Sequence, residues 1–91
     1  MTIKVKVKFH ATFYPTVKTD SIDLALQDGA TVSDALSAME KKFGKDFAEH
    51  TQRLDYLIIF VNNTEYRQLQ ASKTILHEGD LLTLGHVVAG G

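Results

Sequence analysis

A chain of 91 residues with 44% hydrophobic side chains can bury one core but not two, so a single domain spanning residues 1–91 is expected. Ten basic against eleven acidic residues leave a formal charge of −1, without the clearly basic balance that nucleic-acid phosphates call for. Zero cysteines exclude disulfides, thiolate metal sites and any persulfide held on the protein's own side chains; no run approaches the roughly 18 to 20 apolar residues of a membrane helix, so a cytoplasmic protein bound to neither nucleic acid nor membrane is expected.

From Ile3 to Phe9 the chain alternates strictly, with Ile3, Val5, Val7 and Phe9 on one side and Lys4, Lys6 and Lys8 on the other. That is the period of a half-buried strand whose lysine face is solvated or meets an acidic partner. His10 to Ser21 holds the only proline, Pro15, and reads as an irregular, polar connection. A second alternation at Ile22, Leu24 and Leu26 stops at Asp28-Gly29, so the two runs suggest an opening hairpin. Thr31 as N-cap, Asp34 three residues later and Gly44 as a stop predict a helix from about Val32 to Phe43. Its apolar stripe is Val32, Ala35, Leu36, Met39 and Phe43, and Lys41, Lys42 and Lys45 gather where cations complement the helix dipole.

Asp46 to Asp55 shows only a short helical turn around Phe47. Tyr56 to Val61 is a continuous apolar run of strand length, which suits a strand covered on both faces or one whose second face serves a partner. Asn62-Asn63 marks a turn, Glu65 to Leu69 a short return strand, Glu78-Gly79-Asp80 another turn, and Leu81 to Leu84 the final strand. The order strand, strand, helix, strand, short strand, strand predicts an α+β domain, one mixed sheet of four to five strands with the main helix packed across one face.

Residues that carry chemistry are sparse. His10, His50, His77 and His86 lie far apart without the close spacing of metal ligands, so no metal site is expected. Ser21, Ser33, Ser37 and Ser72 sit in no nucleophile elbow, and no phosphate-cradling glycine loop occurs, so no bound cofactor and no independent active site are expected.

The remaining feature is residues 85–91, read as an extended, flexible tail. Val87, Val88, Ala89, Gly90 and Gly91 carry no charge, and two successive glycines at a given place arise by chance in roughly 0.5% of cases at ordinary glycine usage. Lacking Cβ atoms, Gly90 and Gly91 fit a narrow channel in another protein, and seven extended residues reach roughly 23 to 25 Å. A terminal carboxylate is a poor acyl donor until activated. Attack on the α-phosphate of ATP makes an acyl-adenylate, from which a sulfur nucleophile displaces AMP to leave a thiocarboxylate; the activating groups must come from a partner enzyme.

The alternating first strand, Ala30-Thr31-Val32-Ser33-Asp34-Ala35-Leu36 at the helix start, and Leu76-His77-Glu78-Gly79-Asp80-Leu81-Leu82-Thr83-Leu84 before Val87-Val88-Ala89-Gly90-Gly91 occur in one order. Together they resemble the MoaD/ThiS family of ubiquitin-like β-grasp sulfur carriers across essentially the whole chain, nearer in length and ending to MoaD, the small subunit of molybdopterin synthase. Val61-Asn62-Asn63 resembles the family's strand ending in Val-Asn. The resemblance implies that Gly91 is adenylated by an E1-like enzyme that uses ATP and is then converted to a thiocarboxylate. The sulfur would pass to the large subunit of molybdopterin synthase or another acceptor. Where many MoaD sequences carry proline before this ending, the chain has Gly85-His86, which implies a more flexible tail.

Similar folds with diglycine tails serve as archaeal small modifier proteins joined to lysines of target proteins, a second reading. A third is a plain interaction module. In the module the sheet face around Ile58, Phe60, Leu82 and Leu84 binds the partner, and in the carrier the E1-like enzyme and synthase are expected to dock there, beside the last strand.

Overall fold

The computed structural model of the chain describes residues 1–52 and 57–86. The first strand, β1 (Thr2–Phe9), buries Ile3, Val5, Val7 and Phe9 and exposes Thr2, Lys4, Lys6 and Lys8, as its alternation requires. β2 (Ser21–Gln27) returns antiparallel beside it, in register from Thr2 opposite Gln27 to Lys8 opposite Ser21. The hairpin is confirmed, but its connection is not a polar loop. Ala11–Phe13 forms a 3-10 turn and α1 (Tyr14–Val17) a single helical turn, and both Phe13 and Val17 are buried. Burying one phenyl ring contributes roughly 1.5 to 3 kcal/mol, enough to tether a short segment whose other residues are mostly polar.

After β2, Gly29 takes φ 88°, a left-handed conformation that glycine adopts without strain. The main helix, α2 (Val32–Phe43), has the bounds its caps predict. The Thr31 hydroxyl accepts from the Asp34 amide at 3.3 Å while the Asp34 carboxylate accepts from the Thr31 amide at 2.9 Å, so two otherwise unpaired donors are satisfied reciprocally. Gly44, at φ 89°, ends the helix with its N–H donating to the Glu40 carbonyl. α2 buries Val32, Ala35 and Met39 against the sheet.

A second helix, α3 (Lys45–Gln52), replaces the single turn expected around Phe47; its one large apolar residue is wholly buried, so a period of 3.6 had almost nothing to repeat on. Asp55 and Tyr56 lie outside the described residues. β3 (Leu57–Val61) follows, then β4, which is only Thr64–Glu65. The return strand expected to Leu69 gives way to a 3-10 turn, Tyr66–Gln68, started by the Glu65 carboxylate accepting from the Arg67 amide. Between β3 and β4, Asn62 has φ 58°, donates its amide to the Leu81 carbonyl at 2.7 Å and accepts from the Leu81 amide through its side chain at 3.0 Å.

The last strand, β5 (Leu81–His86), runs two residues beyond the expected end at Leu84, so Gly85 and His86 belong to the sheet and not to a tail. Ladder pairing to β3, with Ile58 opposite Gly85 and Leu57 opposite His86, holds them there. The sheet order is β2-β1-β5-β3-β4; β1 and β5 are parallel and the other neighbours antiparallel. This is the mixed sheet expected, with five strands, one covered face and β5 at its centre. Start and register of β5 are set by the preceding turn: Gly79 donates to the Lys4 carbonyl, Glu78 accepts from the Lys4 amide, and the Asp80 carbonyl accepts from Lys6.

Candidate functional site

The site is the C-terminal part of β5, at Gly85 and His86. Three contacts fix it. The His10 amide donates to the Leu84 carbonyl at 2.8 Å, carrying the β1–β5 ladder past Phe9. On the face away from α2, the His10 side chain covers Gly85: a Cβ there would lie 3.1 Å from His10 Cβ and 3.4 Å from Cγ. On the helix-covered face, the His86 ring stacks on Phe13 with centroids 4.5 Å apart and planes 14° from parallel. Phe13 is itself set in an aromatic group with Phe9 and Phe47 at 6.1 and 5.7 Å, separations at which ring pairs attract beyond their buried area. The strand is therefore gripped from both sides at Gly85 and His86.

The expectation of a flexible tail from residue 85 is corrected at Gly85 and His86, which are paired and packed in the sheet. Val87, Val88, Ala89, Gly90 and Gly91 lie outside the described residues. Neither His10 nor Phe13 is a candidate on sequence grounds. The signal that was available is the pair of apolar side chains Phe13 and Val17, four residues apart inside a connection that is polar at both ends.

The proposed docking quartet divides between the two faces of the sheet. Leu82 and Leu84 are wholly buried under α2, so they cannot meet a partner. Ile58 is half-buried and Phe60 is 37% exposed on the opposite, open face. The register explains the division. Leu84 pairs with Ile59 and Leu82 with Val61, both buried, whereas Ile58 pairs with Gly85 and Phe60 with Thr83.

Across the open face the pairings make one row of Ser21, Lys8, Thr83, Phe60 and Glu65, with Asp23, Lys6 and Leu81 next to it. Strand β3 is held at this edge by Arg67, whose guanidinium donates to the Leu57 carbonyl at 3.1 Å and pairs with Glu65 at 3.5 Å. Among the described residues no group of three or more His, Asp or Glu side chains is placed to hold a metal ion. Among them, too, no helix is long and apolar enough to cross a membrane.

A mixed five-stranded sheet with one main helix across it and its last strand at the centre is the ubiquitin-like β-grasp fold. A model of the ThiS family matches residues 7–91, and the chain belongs to that family. It is 28% identical to small archaeal modifier protein 3 of Haloferax volcanii over 98% of this chain and 100% of that one. Among solved structures, small archaeal modifier protein 1 of Methanosarcina acetivorans superposes with a TM-score of 0.78 at 21% identity, covering 100% of this chain and 99% of that one. A Pyrococcus furiosus protein described as molybdopterin converting factor, subunit 1, gives 0.71 at 22% identity, covering 94% and 99%. The solved structures share the fold, and the family match with the full-length relative makes the chain a ThiS-type ubiquitin-fold protein of the sulfur-carrier or small-modifier kind.

Proposed function

We propose that this protein is a non-catalytic sulfur carrier that works with Gly91 as its C-terminal residue. The observation that carries the reading is the placement of β5 at the sheet centre, gripped by His10 and Phe13, so that the chain is held in the folded body as far as His86, five residues before Gly91. A rigid launching point lowers the entropy lost when a partner binds the chain end. The Gly91 carboxylate oxygen attacks the α-phosphorus of ATP in an E1-like enzyme and pyrophosphate leaves. Hydrosulfide then attacks the acyl carbon, AMP departs, and loss of one proton leaves the thiocarboxylate. The sulfur passes to an acceptor, with molybdopterin synthesis and the large synthase subunit the first candidates by likeness to the molybdopterin converting factor.

Incubation with ATP, the cognate E1-like enzyme and sulfide should exchange one terminal oxygen for sulfur, read by intact-mass spectrometry. No exchange with a demonstrably active enzyme would remove the carrier role. The full-length likeness to small archaeal modifier protein 3 favours a second reading, in which a lysine Nζ attacks the same acyl-adenylate and forms an isopeptide bond. That reading expects branched Gly-Gly remnants on lysines of cellular proteins after digestion.

A further inference from the structure

We infer that Lys6 and Lys8 select the partner by pairing with carboxylates on the docking face of the enzyme that activates Gly91, beside an apolar side chain seated on Ile58 and Phe60. The inference rests on the carrier reading above and adds to it the chemistry of the partner's surface.

The open face of the sheet is divided in composition. β1 contributes Lys4, Lys6 and Lys8, all exposed, while β3 contributes Ile58 and Phe60, and β5 between them contributes Leu81, Thr83 and the covered Gly85. Lys8 stands between Ser21 and Thr83, neither of which carries charge. Lys6 stands between Asp23 and Leu81, yet among the described residues neither Lys6 nor Lys8 forms an ion pair. Two ammonium groups are therefore held in line on a rigid strand with no internal counter-charge engaged. Phe60, at 37% exposure, is a large apolar side chain left open on the same face.

Strand spacing turns this division into a geometric requirement. β1 and β3 flank β5, so Lys8 and Phe60 are two strand spacings apart, about 10 Å, and Lys6 and Lys8 are about 7 Å apart along β1. A complementary surface carries an apolar side chain with carboxylates about 10 Å to one side of it. Gly85 and Thr83 of β5 lie between the two halves, so a protein seated here also stands beside the strand that leads to Gly91. Single-stranded nucleic acid is the competing occupant of a sheet face with lysines and an aromatic ring. The composition favours protein: Phe60 is the one phenyl ring that the described residues place in these rows, the other ring on the face, His10, lies over Gly85, Asp23 and Glu65 stand at the two margins, and the chain as a whole is at −1.

Exposed charges at an interface act on encounter and salt dependence more than on the bound chemistry, so the signature belongs in KM. The test is ATP–pyrophosphate exchange by the cognate E1-like enzyme with carrier concentration varied, at about 50 mM and about 300 mM salt. K6E/K8E should raise the KM for carrier by about 10-fold at low salt with kcat unchanged, and the gap should narrow at high salt. K41E/K42E, on α2 beneath the other face, should leave KM unchanged. Should charge reversal lower the thermal midpoint, K6Q/K8Q carries the test with a smaller shift in the same direction. Robust exchange with wild-type chain and a KM for K6E/K8E equal to wild type overturns the inference while leaving the carrier reading intact. Absent exchange with wild-type chain overturns both. If K6E/K8E instead loses binding to a labelled single-stranded oligoribonucleotide with KM unmoved, the lysines belong to nucleic acid and the inference fails.

Discussion

His10 occupies the space that any side chain at Gly85 would need, with its Cβ 3.1 Å from the position a Cβ would take there. The approach is backbone-fixed on both sides, because the His10 amide is bonded to the Leu84 carbonyl and Cβ cannot rotate away. Gly85 is therefore a packing requirement and not a hinge.

Two effects of opposite sign meet in Gly85→Ala. A strand alanine gains about 0.5 to 1 kcal/mol over glycine through unfolded-state entropy. Forcing an extra carbon into a packed site costs about 1 to 3 kcal/mol. The substitution should therefore destabilise by about 1 kcal/mol. In a His10→Gly background, where the opposing Cβ is gone, the same change should become stabilising. Denaturant midpoints for the four chains measure the sign change, and a destabilising effect of equal size in both backgrounds would dissociate the pair.

The stack of His86 on Phe13 separates body stability from tail presentation. Phe13→Ala removes a wholly buried ring that also touches Phe9 and Phe47, and should cost about 3 to 5 kcal/mol. That is a large part of the roughly 5 to 15 kcal/mol typical of a small domain. His86→Ala loses a half-buried ring at the strand end and should cost about 1 kcal/mol. It should nonetheless lower kcat/KM for adenylation several-fold by freeing the strand at residue 86. Equal kcat/KM for wild type and His86→Ala would show that the grip does not serve presentation.

Faces of the sheet give the third prediction. Phe60→Asp places a charge on an exposed position and should leave the thermal midpoint nearly unchanged while raising the KM for carrier in activation. Leu82→Asp buries a carboxylate without a partner and should unfold the domain. A folded Leu82→Asp chain by circular dichroism would contradict the assigned register.

These residues also show what could be read in advance. Alternation from Ile3 to Phe9 and the Thr31, Asp34 and Gly44 caps are local signals, each set by period or by a backbone donor, and the structure reproduces them with little change. The faces of Leu81 to Leu84 were not legible. Three of four residues there are leucine, so only pairing with β1 and β3 tells inward from outward. Phe13 and Phe47 each anchor a short helical piece through one buried ring, and a single apolar residue has no period. The grip at His10, Gly85 and His86 is tertiary, joining residues about 75 positions apart, beyond the reach of any local pattern.

If the acyl carbon of Gly91 is the activated atom, its deletion presents the Gly90 carboxylate one residue short, about 3.3 to 3.6 Å from where the enzyme meets it. Near-attack geometry tolerates far less than that; a displacement of about 1 Å alone can cost about 100-fold in rate. The chain lacking Gly91 should therefore form no detectable adenylate. Gly91 lies five residues beyond the stack of His86 on Phe13, and a terminal residue contributes little to stability, so the same deletion should leave the thermal midpoint within error of wild type. Pyrophosphate exchange and a melting curve on one preparation check both halves. Retained exchange would assign activation to another group, whereas a lowered midpoint would mean that Gly91 contributes to the folded body and that lost exchange reports unfolding.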